Sequence, residues 1–301
     1  MAKLTSGKKA KKPTETQRVV YLDEVEYSEE DQTPKYARPG AAWKLRPIQS
    51  KALAAIESAG GGLFSIGVGW GKTLIGMLAA HAAGAKFTIF LAPASTIAQL
   101  ERTYGELKRQ FKVGNIAFIS YGRLSRPDGT SLLTRCLKRR KASEVILVCD
   151  EVHKIMRKES ARTKRVIRFL QANPDIKFVG MSGTLTSKGL KDMAHIAEMA
   201  LRENSPLPRD RHHINAWAEC LDVDGQPGHS EWETVRPLWD KYNDYHIFRT
   251  TYKDRREGIR KAFRQRFRSC AGVVASEEGA LGCSLEILGR QLAVPEDIEE
   301  L

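Results

Sequence analysis

Residues 62–74 read GLFSIGVGWGKTL, an apolar tetrapeptide, a turn with glycine at every second position, and then Gly71-Lys72-Thr73 opening a helical pattern. A strand, a glycine-rich turn and a helix that starts on Lys-Thr make a phosphate-binding loop. The backbone N–H groups of Gly69, Trp70 and Gly71 and the helix N-terminus are expected to face a β-phosphate. Lys72 would neutralise the β- and γ-oxygens, and the Thr73 hydroxyl would bind Mg²⁺. Leu74, the next residue, is expected to belong to the nucleotide-binding set as well. One feature departs from the usual pattern: Ile66 stands where such loops open with glycine or alanine. The reading therefore needs a second carrier.

It comes from EVILVCDEVHKI, residues 144–155, which sets Asp150 and Glu151 directly after a buried-strand pattern. A carboxylate at the end of a parallel strand lies in the crevice where ligands bind in such sheets. Asp150 can hold Mg²⁺, and Glu151 can orient and deprotonate a water. An ordinary helix start decorated with acids is the competing reading of these two residues alone. Together with the loop they point to an ATP–Mg²⁺ site.

Outward from these motifs, apolar runs alternate with helical stretches. GLFSI, KFTIFLAP, NIAFISY, EVILVC and IKFVGMSG read as strands. The intervening helices are STIAQLERTYGELKRQF, with Ser95 or Thr96 as N-cap, SLLTRCLKRRK and SARTKRVIRFLQA. The alternation predicts an α/β fold with a parallel sheet and helices on both faces. Residues 1–40, with a lysine block followed by an acidic block, are expected to form a flexible charged tail. Residues 41–204 form the ATP-binding core and 205–290 a helical extension. Residues 291–301 begin a linker. Arg249 to Arg268 holds nine Lys or Arg against two acids, with Ile259, Ala262, Phe263 and Phe267 as its apolar face. That basic segment has three open readings: a nucleic-acid contact, a solvated face, or a brace for another domain.

The chain has 301 residues and a net charge of +13, a balance that favours a polyanionic partner. Its five cysteines form no CxxC pair, which argues against a zinc knuckle or a disulfide framework. His212 and His213 near Cys220 are read as loop or packing residues. No apolar run has the length of a membrane span and no signal peptide leads the chain, so a cytoplasmic protein is expected.

Five segments, in order, carry a family resemblance. DEVH at 150–153 resembles the DExH box of superfamily-two helicases and translocases, and MSGTL at 181–185 the Ser/Thr-Gly/Ala-Thr turn that follows it. LRPIQ at 45–49, FLAPASTIAQL at 90–100 and ISYGRL at 119–124 resemble the entry motif, motif Ia and TSYERL-type segment of its Swi/Snf-like and restriction-subunit-like branches. The resemblance spans roughly residues 43–295. It implies a RecA-like motor domain in which Gln49, supported by Arg46, reads adenine. His153 would couple the site to a facing domain, and Ser182, Gly183 and Thr184 would link hydrolysis to nucleic-acid grip. Pro93, Ala94 and Ser95, with Ser120, Tyr121 and Arg123, would line a strand track. DNA is the expected nucleic acid, and a phage or bacterial source would suit the compact matches. In such motors a second RecA-like domain supplies arginine fingers from a Gln-x-x-Gly-Arg-x-x-Arg motif. ILGRQLAVPED at 287–297 has Gly289-Arg290 but neither flanking member, so the resemblance implies a first motor domain that a second one completes, weak in hydrolysis by itself. The alternative is a non-motor module that binds nucleic acid or a partner and uses ATP as a structural ligand or switch.

Overall fold

The computed structural model describes residues 15–183, 185, 189–242 and 251–276. Among them six strands form one all-parallel sheet: β1 (Gly62–Ser65), β2 (Phe87–Ala92), β3 (Asn115–Ser120), β4 (Val145–Asp150), β5 (Lys177–Ser182) and β6 (Val273–Ala275). The order across the sheet is β3-β2-β4-β5-β1-β6. β5 therefore lies between β4 and β1, which sets the ends of all three side by side. The helices are α1 (Glu15–Val20), α2 (Thr33–Tyr36), α3 (Pro47–Ala59), α4 (Lys72–Ala82), α5 (Ile97–Gln110), α6 (Tyr121–Ser125), α7 (Gly129–Leu137), α8 (Ala161–Ala172), α9 (Leu190–Leu201), α10 (Arg211–Leu221), α11 (His229–Tyr242) and α12 (Tyr252–Arg268).

Both faces of the sheet are covered, and the side-chain alternation along each strand shows how. Phe90, Ile146 and Val148 join Leu53 and Ile56 of α3, Met77 of α4 and Leu100 of α5 in one core. Ile89, Leu91, Leu147 and Cys149 join a second core with α6 to α12, including Trp217, Phe263 and Phe267. The architecture is a RecA-like α/β fold with a basic helical segment, α12, at its C-terminal side. Ile259, Ala262, Phe263 and Phe267 do form the buried face of α12.

Three expectations are corrected. The first concerns the charged tail. Of residues 1–40, 1–14 lie outside the described residues, but from Val19 onward the chain is built into the domain. Val19, Val20 and Tyr36 are fully buried. Tyr27 Oη accepts a hydrogen bond from Gly272 N at 2.9 Å, and Lys241 pairs with Glu24 at 2.6 Å. The acidic block hides spaced apolar residues, and its charge is partly met by the extension it packs on. The second concerns the start of α5. Neither Ser95 nor Thr96 caps it through a side chain, because Thr96 Oγ1 donates instead to Pro93 O at 2.9 Å. The third concerns α7, which stops at Leu137, well before Lys141, and Arg139 takes a left-handed φ of 68°. Residues 243–250 and 277–301, with Arg249, Arg290 and the expected linker, lie outside the described residues. No described helix is long and apolar enough to cross a membrane.

Candidate active site

The phosphate loop leaves the buried end of β1. Ile66, the departure from the usual loop opening, is fully buried, and its N–H donates to Ser182 O at 3.1 Å. It serves as a packed strand end, a task that needs no glycine. Further on, Gly69 and Gly71 have φ of 82° and 79°, the left-handed region that glycine enters without steric cost. Gly71 is also crowded: a Cβ there would meet Gln49 Nε2 at 2.1 Å. α4 then starts on Lys72, so its N-terminal N–H groups face the loop. The Lys72 ammonium curls into that loop, donating to Ile66 O at 2.9 Å and Gly67 O at 3.1 Å.

The start of α3 holds the loop from the other side. Gln49 Oε1 accepts from Arg46 N at 2.8 Å, while its Nε2 donates to Trp70 O at 3.4 Å and Gly71 O at 3.3 Å. Arg46 adds a guanidinium bond to Gly69 O at 2.7 Å. Gln49 and Arg46 are thus ties for the loop as well as lining of the groove beside it. That groove, about 400 Å³, is lined by Trp43, Arg46, Gln49, Gly69, Thr73 and Leu74 among others.

Asp150 ends β4 and Glu151 follows it, two strands from the loop. Burial, reinforced by the adjacent Glu151 and opposed by Lys72, pushes Asp150 up from 3.8 to about 6. Its Oδ1 is buried without a hydrogen-bond partner. Such an oxygen is costly unless something is bound to it. Glu151 adopts a left-handed backbone at φ 55°, ψ 55°, a conformation that costs a non-glycine residue about 1–2 kcal/mol. The glutamate side chain reaches the end of β5. There Ser182 Oγ donates to Glu151 Oε2 at 3.1 Å, and His153 Nδ1 lies 3.2 Å from both Glu151 Oε2 and Ser182 Oγ. His153 and then Ser182 hold the Glu151 carboxyl below its usual range against the opposing effect of burial. Glu151, His153 and Ser182 therefore form one triangle joining the ends of β4 and β5. Gly183 completes the junction, since a Cβ on it would lie 3.9 Å from both Lys72 Nζ and Ile66 O. Thr184 lies outside the described residues.

The expected strand track divides. Ala94, Ser95 and Arg123 are exposed and Pro93 is partly so. Ser120 and Tyr121 are buried, which removes them from any track. Ser120 Oγ accepts from Arg123 N at 3.3 Å and caps α6. Tyr121 donates its hydroxyl to Asp150 O at 2.7 Å. It supports the carboxylate strand from below.

Two residues were missed. Trp43, 48% exposed, walls the groove beside Gln49; its place two residues before Leu45 was the available signal. Ser276 reaches the loop from beyond β6: its Oγ accepts from Gly67 N at 3.1 Å and its N–H donates to Ser65 O at 2.9 Å. Nothing local in the sequence connects Ser276 to a turn so far upstream. No group of three or more His, Cys, Asp and Glu among the described residues could hold a metal ion. His213 instead bonds Asp210 at 2.7 Å.

Residues 46–193 match the model of the DEAD/DEAH box helicase family. The matched stretch includes the phosphate loop, the carboxylate pair and the Ser-Gly turn. The match supports a helicase-type RecA-like core, of a family that binds and in general hydrolyses ATP and acts on nucleic acid. No curated protein matches the chain.

Proposed function

We propose that this chain is the nucleotide-binding half of an ATP-dependent DNA translocase or helicase of superfamily two. The observation that carries the reading is the convergence of Lys72, Asp150 with its unpartnered buried Oδ1, and the Glu151–His153–Ser182 triangle on the ends of neighbouring strands. The adenine lies in the groove of Trp43, Arg46 and Gln49, and the phosphates lie on the loop N–H groups of Gly69, Trp70 and Gly71. Lys72 moves its ammonium from the loop carbonyls to the β- and γ-oxygens.

Asp150 and Thr73 would hold Mg²⁺. A buried carboxylate oxygen with no protein partner and a hydroxyl on the loop are the hard oxygen donors that this ion takes. When bound, Mg²⁺ supplies positive charge against the phosphate oxygens. Glu151, kept ionised by His153 and Ser182, accepts a proton from the attacking water at a carboxylate oxygen. Proton arrival there weakens its hold on the Ser182 and His153 donors. The change at the catalytic carboxylate thereby reaches the end of β5, where Ser182 and Gly183 link it to nucleic acid carried along Pro93, Ala94, Ser95 and Arg123.

The described arginine that touches the loop, Arg46, is committed to Gly69 O. A second RecA-like domain supplies the arginine that stabilises the transition state, a contribution worth about 10³–10⁵ in rate where such fingers act. DNA is assigned because the LRPIQ and ISYGRL segments resemble DNA-acting branches. The test is ATP hydrolysis by this chain with duplex DNA and with RNA, repeated with a second RecA-like domain present. Slow basal turnover, raised by that domain together with DNA and lost in Glu151→Gln, is expected. Fast DNA-stimulated turnover by the chain alone refutes the half-motor assignment, and equal stimulation by RNA refutes the DNA assignment.

A further inference from the structure

A second concave site lies at the opposite end of β6 from the phosphate loop. β6 enters at Val273, which lines a cleft of about 760 Å³, and leaves toward Ser276 at the loop. The cleft lies between the Glu24–Tyr27 segment, Lys51 of α3 and the exposed side of α12. Its charged lining is Lys51, Lys261, Arg264 and Arg268 against Glu24 and Glu26. Glu24 is already met by Lys241 at 2.6 Å and by the Tyr242 hydroxyl at 2.8 Å. Lys51 approaches Glu29 at 3.6 Å. Among the described residues, no acid pairs with Lys261, Arg264 or Arg268.

These three cations contrast with their neighbours on α12. Arg260 is turned to the end of α10, donating to Leu221 O at 2.9 Å and Asp222 O at 3.0 Å. Arg266 is fully buried and donates to Val19 O at 2.9 Å. Those arginines hold the domain together, whereas Lys261, Arg264 and Arg268 are exposed on the opposite face and aligned at helical spacing. From Lys261 to Arg268 the helix rises about 10 Å, the length of about three phosphates along one strand of duplex DNA. A row of cations of that length with no acidic partner among the described residues, in a cleft where Glu24 is already met by Lys241, fits a phosphodiester backbone. An acidic peptide fits less well, because its carboxylates have no fixed spacing of about 3.4 Å to match the row.

We propose that this cleft binds the phosphodiester backbone of a nucleic acid, as a contact separate from the strand-end edge that carries the ATP site. It anchors the domain on nucleic acid whether or not nucleotide is bound.

The test is fluorescence anisotropy of a short fluorescein-labelled DNA duplex with the full chain, measured over a series of salt concentrations. The variant is K261Q/R264Q/R268Q, and the control R135Q/K138Q/R139Q removes the same charge from the exposed end of α7 and the turn after it. The first variant is expected to lose about tenfold or more in affinity and to lower the salt slope by about 2.7, at about 0.9 per phosphate contact. R264Q alone, with its smaller perturbation of α12, is expected to lower the slope by about 0.9. The control should change both far less. Unchanged binding in the α12 variants, or equal losses in variant and control, overturns the proposal. Inorganic tripolyphosphate separates a backbone site from a small-phosphate site. It should displace the duplex only where sodium chloride of equal ionic strength does. Displacement at lower concentration, abolished in the triple variant, would assign the cleft to a small polyphosphate and overturn the nucleic-acid assignment.

Discussion

Asp150→Asn should make this protein more stable while it removes the proposed Mg²⁺ ligand. The Asp150 carboxyl is raised from 3.8 to about 6, first by burial and then by Glu151, and its Oδ1 has no partner. At about 1.36 kcal/mol per pH unit, ionising it in the folded protein costs about 3 kcal/mol near neutral pH. Asparagine keeps the shape and carries no charge, so the variant should gain about 2–3 kcal/mol at pH 8 and several degrees in Tm. The pH dependence fixes the cause. An acid with a raised folded-state pKa holds its proton more tightly when folded. Its favourable contribution is therefore full at acid pH and is lost as pH rises through about 6. The difference between variant and wild type should be full above pH 6, shrink between about 6 and 4, and vanish below. Urea denaturation of both proteins across that range measures it. A variant less stable than wild type at pH 8, or a gain that does not change with pH, would refute the reasoning.

The same titration governs metal use: Mg²⁺-dependent ATP affinity should fall as pH drops below about 6, read by calorimetric titration at fixed Mg²⁺. Gly71→Ala should damage the loop more than Gly69→Ala. Both replace left-handed glycines, at about 1–2 kcal/mol, but only the first drives a Cβ into Gln49 Nε2. Thermal unfolding and ATP affinity should rank the pair. Tyr121→Phe removes the bond to Asp150 O and should cost roughly 1–3 kcal/mol of stability. Its DNA affinity should not change, because the ring is buried.

Five of the six strands were legible because each is a largely apolar run followed by a helical pattern; β6, of three residues, is too short to announce itself. Asp150 was legible as the polar residue that closes an apolar run, and Lys72 as the residue that opens a helix after a glycine-rich turn. The tail was not, because Val19, Val20 and Tyr36 are few and are set among charges, and their burial depends on elements farther along the chain: Val19 and Val20 on α11 and α12, Tyr36 on the core that holds α3 to α5. Tyr121 could be assigned to the end of β3, but whether its hydroxyl faced solvent or Asp150 depends on how β3 and β4 flank β2. The basic segment shows the same limit. Arg260 and Arg266 look like Lys261 and Arg264 in sequence, and only packing separates the braces from the exposed row.

The central claim is that Lys72 and its loop form the binding site for the phosphates of ATP. Calorimetric titration of Mg²⁺–ATP into wild type and Lys72→Ala tests it most directly. The account predicts binding to wild type and a loss of about 2–5 kcal/mol, more than tenfold in affinity, in the variant. Equal affinity in the two proteins would contradict it.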